Sequence, residues 1–147
     1  MKKLFIYFSL TGNGDLVADH LKEKGFEIRK VEMKKALPKS FFFSVLTGGF
    51  LAGLNVKSKL KEYDRNTEGY DEIIIGSPIW NGRFSSPLNR LLKEMDFKGK
   101  DIQFIFTAGS GAGKHALKKA NKLYPEAKCT FLKEPKKYPE ELKKIML

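Results

Sequence analysis

Residues 4–15 read LFIYFSLTGNGD and carry the strongest structural signal in the chain. The run Leu4–Phe8 is continuously apolar, which is typical of a strand buried on both faces of a sheet. A glycine-rich turn follows, and apolar residues then recur at helical spacing until Gly25 ends the pattern. A strand, a glycine-rich loop and a helix in this order predict a parallel sheet with crossover helices.

The same alternation continues along the chain. Apolar runs predict four more strands, and amphipathic segments predict the helices between them. The predicted strands lie at 26–31, 71–76, 102–106 and 127–132, and further helices begin at Ser86–Pro87, near Leu117 and at Pro139. We therefore expect one α/β domain over residues 1–147, an open five-stranded parallel sheet with helices on both faces.

The composition excludes several classes of protein. Lys and Arg total 28 and Asp and Glu total 17, a formal net charge of +11, and 41% of the 147 residues are hydrophobic. These values are typical of a globular protein rather than a disordered one. One cysteine and two histidines leave little for a zinc site, so we expect no bound metal. The apolar runs are too short for a signal peptide or a membrane span, which predicts a cytoplasmic protein without stable membrane insertion.

Function is expected in the loops after the strands, because open parallel sheets bind ligands beyond the carboxyl ends of their strands. The first loop, Ser9–Asp15, offers hydroxyl groups and two glycines that let a ligand approach the backbone. The N–H groups at the start of the next helix complete a cradle for phosphate. The alternative is an ordinary strand–helix turn capped by Asn13.

Two later loops complete the set. Residues 77–86, SPIWNGRFSS, place Trp80 beside Asn81–Gly82, a strong turn pair. We expect the indole to be exposed and to stack on a flat ring, or else to fold back onto the core. Residues 107–114, TAGSGAGK, are rich in glycine and nearly match a nucleotide-hydrolysing P-loop. His115 stands where that motif needs Ser or Thr, so we do not expect nucleotide hydrolysis.

Together the three loops resemble those of the flavodoxin family. The family's phosphate-loop pattern is matched at Tyr7, Ser9, Gly12, Ala18 and Leu21. Gly14 departs from the pattern, since a threonine is expected there. Residues 76–92, GSPIWNGRFSSPLNRLL, resemble the second loop and helix of the short bacterial branch of the family. The resemblance implies the strand order 2-1-3-4-5 and bound flavin mononucleotide (FMN).

The resemblance also implies which residues bind FMN. Trp80 would border the flavin ring, Asn81 and Gly82 would lie near its N5 atom, and the third loop would meet its pyrimidine edge. The implied cofactor-binding residues are Ser9, Thr11, Gly12, Asn13, Gly14, Asp15, Pro78, Ile79, Trp80, Asn81, Gly82, Thr107, Ala108, Gly109, Ser110 and Gly111.

Three functions fit these observations. The first is a small electron carrier, favoured because no second dinucleotide motif is found. The second is an NAD(P)H-dependent FMN oxidoreductase that reduces a quinone or a similar acceptor. The third is a flavin-free binding protein that uses its basic face. The positive charge predicts an acidic redox partner protein, and no motif indicates nucleic acid. The segment Phe41–Leu54 is expected to extend a crossover and complete the core, or to form an apolar wall beside the flavin.

Overall fold

A computed structural model describes residues 1–35 and 59–147, in which strands and helices alternate. The expected segment Phe41–Leu54 lies outside the described residues. The elements are β1 (Lys3–Tyr7), α1 (Asn13–Glu23), β2 (Glu27–Lys30), β3 (Glu72–Trp80), β4 (Arg83–Phe84), α2 (Ser86–Glu94), β5 (Asp101–Ala108), α3 (Lys114–Leu123), β6 (Lys128–Lys133) and a 3-10 helix (Pro139–Lys144).

Five strands form a parallel sheet in the order β2-β1-β3-β5-β6. The first strand lies between β2 and β3, and its Leu4 pairs with Glu27 on one side and with Ile73 on the other. With the two-residue strand β4 set aside, this is the predicted order 2-1-3-4-5. The α/β fold expected from the sequence is confirmed, with β4 as an addition that pairs antiparallel to β3.

The predicted loop at residues 77–86 is largely a β-hairpin. The strand β3 continues through Trp80, and Arg83–Phe84 returns beside it, with Ile79 paired to Phe84. Asn81 and Gly82 form the turn with φ angles of 52° and 73°. Positive φ at both central residues is the geometry that lets a two-residue turn follow the twist of its strands. The turn was therefore predicted correctly, but the length of the strand before it was not.

Helices cover both faces of the sheet because alternate strand residues point to opposite sides. One face carries Ile73 and Ile75 of β3 together with residues of α2 and α3, among them Leu88 and Ala116. The other face carries Ile74 with the apolar side of α1 and with Leu142 of the 3-10 helix. The helix α2 starts where the sequence predicts, and the Ser85 hydroxyl caps it by accepting the N–H of Leu88 at 3.3 Å.

Strands β1 and β3 approach closely at Gly76, which pairs with Tyr7. The rings of Phe5 and Tyr7 stack with centroids 4.9 Å apart on this face of the sheet. A Cβ atom built on Gly76 would lie 2.5 Å from Phe5 Cζ and 2.9 Å from Tyr7 Cβ. The aromatic pair therefore occupies the space above this glycine.

We expect Gly76→Ala to lower the free energy of unfolding by about 1–3 kcal/mol, because the added methyl group overpacks a buried strand. Gly109→Ala is the matched control, since a Cβ there meets no atom of the described residues within 4 Å. Urea denaturation of both variants measures the difference. Equal stabilities would show that the stacked rings move aside without cost.

Candidate functional site

The carboxyl ends of β1, β3, β5 and β6 surround a cleft of about 400 Å³. The cleft lies at the edge of the sheet where the sequence predicts the site. It is lined by Leu10, Thr11, Asn13, Pro78, Ile79, Trp80, Thr107, Ala108, Gly109, Glu134, Lys136 and Lys137. The three predicted loops therefore meet at one place, and a fourth segment, residues 134–137, joins them.

Half of the predicted site residues lie behind the cleft lining or beside it. Ser9, Gly12, Gly14 and Asp15 build the first loop without lining the cleft. The turn residues Asn81 and Gly82 do not line it, and neither do Ser110 and Gly111 at the end of the third loop. The Ser110 hydroxyl donates to the carbonyl of Ala112 at 3.3 Å, within its own turn. Flavin contacts from these residues stay predictions.

The hydroxyl of Ser9 organises the first loop. Its Oγ accepts the N–H groups of Gly12 and Gly14 at 3.2 and 3.1 Å. Two of the N–H groups expected to be open to a ligand therefore donate within the loop. The N–H groups of Asn13 and Asp15 belong to the first turn of α1, where helices have no internal acceptor. The Ser9 hydroxyl accepts these two hydrogen bonds and still has its own proton to donate.

Gly14 departs from the flavodoxin pattern for a steric reason. A Cβ atom at this position would lie 2.9 Å from Ser9 Cβ and 3.0 Å from the Tyr7 ring. Neither neighbour is the free end of a flexible chain, so a threonine does not fit here. The threonine hydroxyl expected at this position is absent because Ser9 and Tyr7 already fill the space that its side chain would need. The N-cap residue of α1 is Gly12, and no side chain caps the helix, so the expected cap by Asn13 is wrong.

Two contacts hold the Asp15 carboxylate at the start of α1. The Tyr7 hydroxyl donates to Asp15 Oδ1 at 2.7 Å, and Lys30 Nζ lies 2.9 Å from the same oxygen. Burial alone would raise the pKa of Asp15, but hydrogen bonds from Lys30 and Tyr7 outweigh it and hold the pKa below its usual value. Burial, reinforced by the bond to Asp15, raises the pKa of Tyr7 far above its ordinary value. Asp15 thus connects α1 to β1 and β2.

We expect Asp15→Asn to destabilise the protein at neutral pH and the difference from wild type to shrink in acid. A carboxyl group with a lowered pKa in the folded state stabilises above its unfolded pKa of about 3.9 and loses that contribution as it is protonated. Urea denaturation between about pH 3 and pH 7 measures this. Asp19→Asn, at an exposed position of the same helix, is the control. A difference that is independent of pH would contradict the network.

The expectation of an exposed tryptophan is wrong, and the alternative that it folds back onto the core is confirmed. Trp80 is 1% exposed and its ring meets the edge of Phe8 at 6.1 Å between centroids. The cause is the hairpin, since pairing of Trp80 with Arg83 keeps the residue in the strand. Its indole Nε1 is buried and has no hydrogen-bond partner within residues 1–35 and 59–147. Trp80 still lines the cleft.

We expect Trp80→Ala to lower the free energy of unfolding by about 3–5 kcal/mol, the range for truncation of a large buried aromatic. Trp80→Phe keeps a ring in the core and serves as the control with a smaller loss. Thermal unfolding of the apoprotein measures both. An unchanged melting temperature for Trp80→Ala would mean that the side chain is exposed at a loop tip.

Residues 134–137 form a fourth wall that the sequence reasoning missed. The N–H of Glu134 donates to the carbonyl of Ala108 at 3.2 Å, and the N–H of Lys137 donates to the carbonyl of Glu134 at 2.8 Å. The backbone N–H of Lys136 donates to Asn13 Oδ1 at 2.9 Å. Their position in the sequence could have indicated this role. The stretch EPKK directly follows the last strand, and the carboxyl end of that strand lies at the same edge of the sheet as the three loops. Leu10 of the first loop also lines the cleft, and the sequence analysis did not predict it as a site residue.

Within the described ranges, no three His, Cys, Asp or Glu side chains cluster as a metal site would require. No described helix is long and apolar enough to cross a membrane. The site consists of a glycine loop at a helix start, apolar walls from β3 and β5, and lysines after β6. Fold and cleft together define a flavodoxin-like α/β protein with a cleft at the carboxyl ends of its parallel strands.

Comparison with known proteins identifies the family. The model of the NADPH-dependent FMN reductase family matches residues 6–136, so the chain belongs to that family. It is an FMN-binding, flavodoxin-like protein, and the expected cofactor FMN is confirmed. The family that matches is the FMN reductases and not the flavodoxins themselves. The resemblance to flavodoxins therefore holds for the flavodoxin-like fold and the cofactor FMN. No curated protein matches the sequence significantly.

Solved structures share the fold. A Bacteroides eggerthii protein proposed to be a flavoprotein is 21% identical, with 90% of this chain and 88% of that chain covered and a TM-score of 0.74. A similar Bacteroides uniformis protein is 23% identical, with coverages of 87% and 85% and a TM-score of 0.69. A Lactobacillus acidophilus flavoprotein, solved in complex with FMN, is 22% identical, with coverages of 87% and 89% and a TM-score of 0.67.

Proposed function

We propose that the protein holds FMN in this cleft and acts as an NAD(P)H-dependent FMN oxidoreductase. The observation that carries the proposal is the family match, which extends from β1 to Lys136, three residues after β6. When bound, FMN would supply the two-electron redox chemistry between a nicotinamide and an acceptor such as a quinone. The chain binds the cofactor, orients it and sets its electrostatic surroundings.

We assign the phosphate of FMN to the first loop. The start of α1 favours an anion, because its first N–H groups and the helix dipole point toward the loop. Thr11 and Asn13 line the cleft at this end, and Asn13 Nδ2 donates to Thr11 Oγ1 at 3.0 Å, which fixes both side chains. Gly12 has a φ of 90°, so the backbone turns sharply here without a side chain in the way.

We assign the flavin ring to the walls formed by Pro78–Trp80 and Thr107–Gly109. Pro78 and Ile79 give the cleft an apolar side, and Gly109 leaves the backbone of the third loop open. The indole N–H of Trp80 has no partner within the described residues, although buried polar groups normally have one. Because this atom is itself buried, a flavin acceptor reaches it only if the wall around Trp80 moves when the ligand binds.

An electron carrier is the second candidate, and the surface charge favours it. Helix α3 starts directly after the third loop and presents Lys114, Lys118 and Lys122 to solvent. Its Ala116 N–H donates to the carbonyl of Gly82 at 2.9 Å, which ties this basic helix to the hairpin beside the cleft. An acidic redox protein would be attracted to such a face and would associate faster at low salt.

We expect the FMN-loaded protein to oxidise NADPH or NADH in the presence of a quinone without any added reductase. The decrease in nicotinamide absorbance measures the rate, and the FMN-free protein is the control. The ratio of the two kcat/KM values identifies the preferred nicotinamide.

Two results would contradict this proposal. If bound FMN is reduced only after a separate reductase is added, the protein is a carrier. If the purified protein neither carries nor takes up FMN, it belongs to the third class, a binding protein that uses its basic face.

A further inference from the structure

We propose that Lys136, contributed by the segment after the last strand, binds the phosphate of FMN and selects phosphorylated flavin over riboflavin. The inference rests on the proposed seating of FMN in the cleft and adds a cationic ligand that none of the three predicted loops contains. It concerns the side chain of Lys136 and the first loop, which are 125 positions apart in the chain.

The fold fixes the position of the segment. The carbonyl of Ala108 receives the N–H groups of Gly111 at 3.3 Å and Glu134 at 3.2 Å, so the third loop and the fourth segment share one anchor. On the other side, Asn13 Oδ1 receives the backbone N–H of Lys136. The lysine is thus held between the loop after β5 and the loop after β1. Its backbone position does not depend on its own side chain.

The side chain then reaches across the first loop. Lys136 Nζ donates to the carbonyl of Thr11 at 3.2 Å. A Cβ atom built on Gly12 would lie 3.3 Å from Lys136 Cδ and 3.5 Å from Nζ, so the lysine stem passes directly over this glycine. An ammonium group has three N–H donors, and the Thr11 carbonyl uses one of them. Within residues 1–35 and 59–147 no other hydrogen bond uses Nζ, so two donors stay available at the mouth of the loop.

The surrounding charges favour an anion at this point. Asp15, the acidic residue of the loop, is already paired with Lys30 and bonded by Tyr7. Lys136 acts on Asp15 electrostatically as well, as one of the influences that lower the pKa of its carboxyl group. Among the described residues that line the cleft, Glu134 is the one acidic residue, against Lys136 and Lys137. The positive charge of the two lysines exceeds the negative charge of the one cleft-lining carboxylate. The charge of Asp15 is balanced by Lys30.

The competing explanation is that Lys136 only fastens the fourth segment to the first loop. A fastening role affects the binding of FMN and riboflavin equally, because both flavins use the same cleft. A phosphate-binding role affects FMN alone. The ratio of the two dissociation constants therefore separates the explanations, and it does not depend on turnover.

The test compares Lys136→Met, Lys136→Arg and wild type by fluorescence titration of each apoprotein with FMN and with riboflavin. Met keeps the aliphatic stem over Gly12 and removes the charge, while Arg keeps the charge. Lys143→Met is the matched control, because Lys143 is exposed on the 3-10 helix and does not line the cleft. Melting temperatures of the apoproteins show whether each variant is folded.

We expect Lys136→Met to raise the FMN dissociation constant about tenfold, as the loss of a charge-assisted hydrogen bond at an exposed site does, and to leave the riboflavin constant unchanged. Lys136→Arg retains most of the affinity, and Lys143→Met behaves as wild type. In wild type, added salt weakens the binding of FMN more than that of riboflavin. An equal effect of salt on the two flavins would contradict the inference even if Lys136→Met does not fold.

The inference is overturned if Lys136→Met changes both flavin constants by the same factor or changes neither, or if salt affects the two flavins equally. Failure of the proposed function gives a different result. In that case wild type binds FMN in a Lys136-dependent way but does not oxidise NADPH or NADH. If wild type binds no FMN, both proposals are overturned.

Discussion

The hydroxyl of Ser9 is the contact on which the candidate site depends. By accepting the N–H groups of Gly12 and Gly14, it closes the loop after β1 into one fixed shape. Gly14 must lack a side chain for this contact to form, since a Cβ atom would meet Ser9 itself at 2.9 Å. The loop in turn sets the start of α1 and presents the Thr11 carbonyl to which Lys136 donates. Without this closure the fourth segment would lose one of its two anchors.

The loop is also supported from below by the sheet. Tyr7 ends β1, stacks on Phe5, and donates its hydroxyl to Asp15 in the first turn of α1. Its Cβ atom lies close to Gly76 of β3, and its ring lies close to Gly14 of the loop. One aromatic side chain therefore fills the space between two glycines, one in the sheet and one in the loop. Packing of the core and geometry of the site are set by the same residue, so we expect changes at Tyr7 to affect both.

The parts of the fold that could be predicted are those with local causes. The continuous apolar runs at Leu4–Phe8 and Ile73–Ile75 determine buried strands, and the Asn81–Gly82 pair determines a turn wherever it stands. The burial of Trp80 was not predicted, because a large aromatic residue beside a turn is compatible with both a loop tip and a strand end. Its position in the strand is determined by pairing with β4, which the sequence does not show. Lys136 and Lys30 were missed for a related reason. Their contacts join segments far apart in the chain, and no local pattern records them.

The central claim is that the phosphate of a flavin lies against residues 11–15 beside Lys136. Backbone amide shifts in ¹H–¹⁵N NMR spectra test it most directly, with the isotope-labelled protein titrated first with riboflavin and then with FMN. We expect both flavins to shift the amides of residues 107–109, and FMN alone to shift those of residues 11–15 and of Lys136. Identical shifts at residues 11–15 with the two flavins, or none with FMN, would show that the phosphate lies elsewhere.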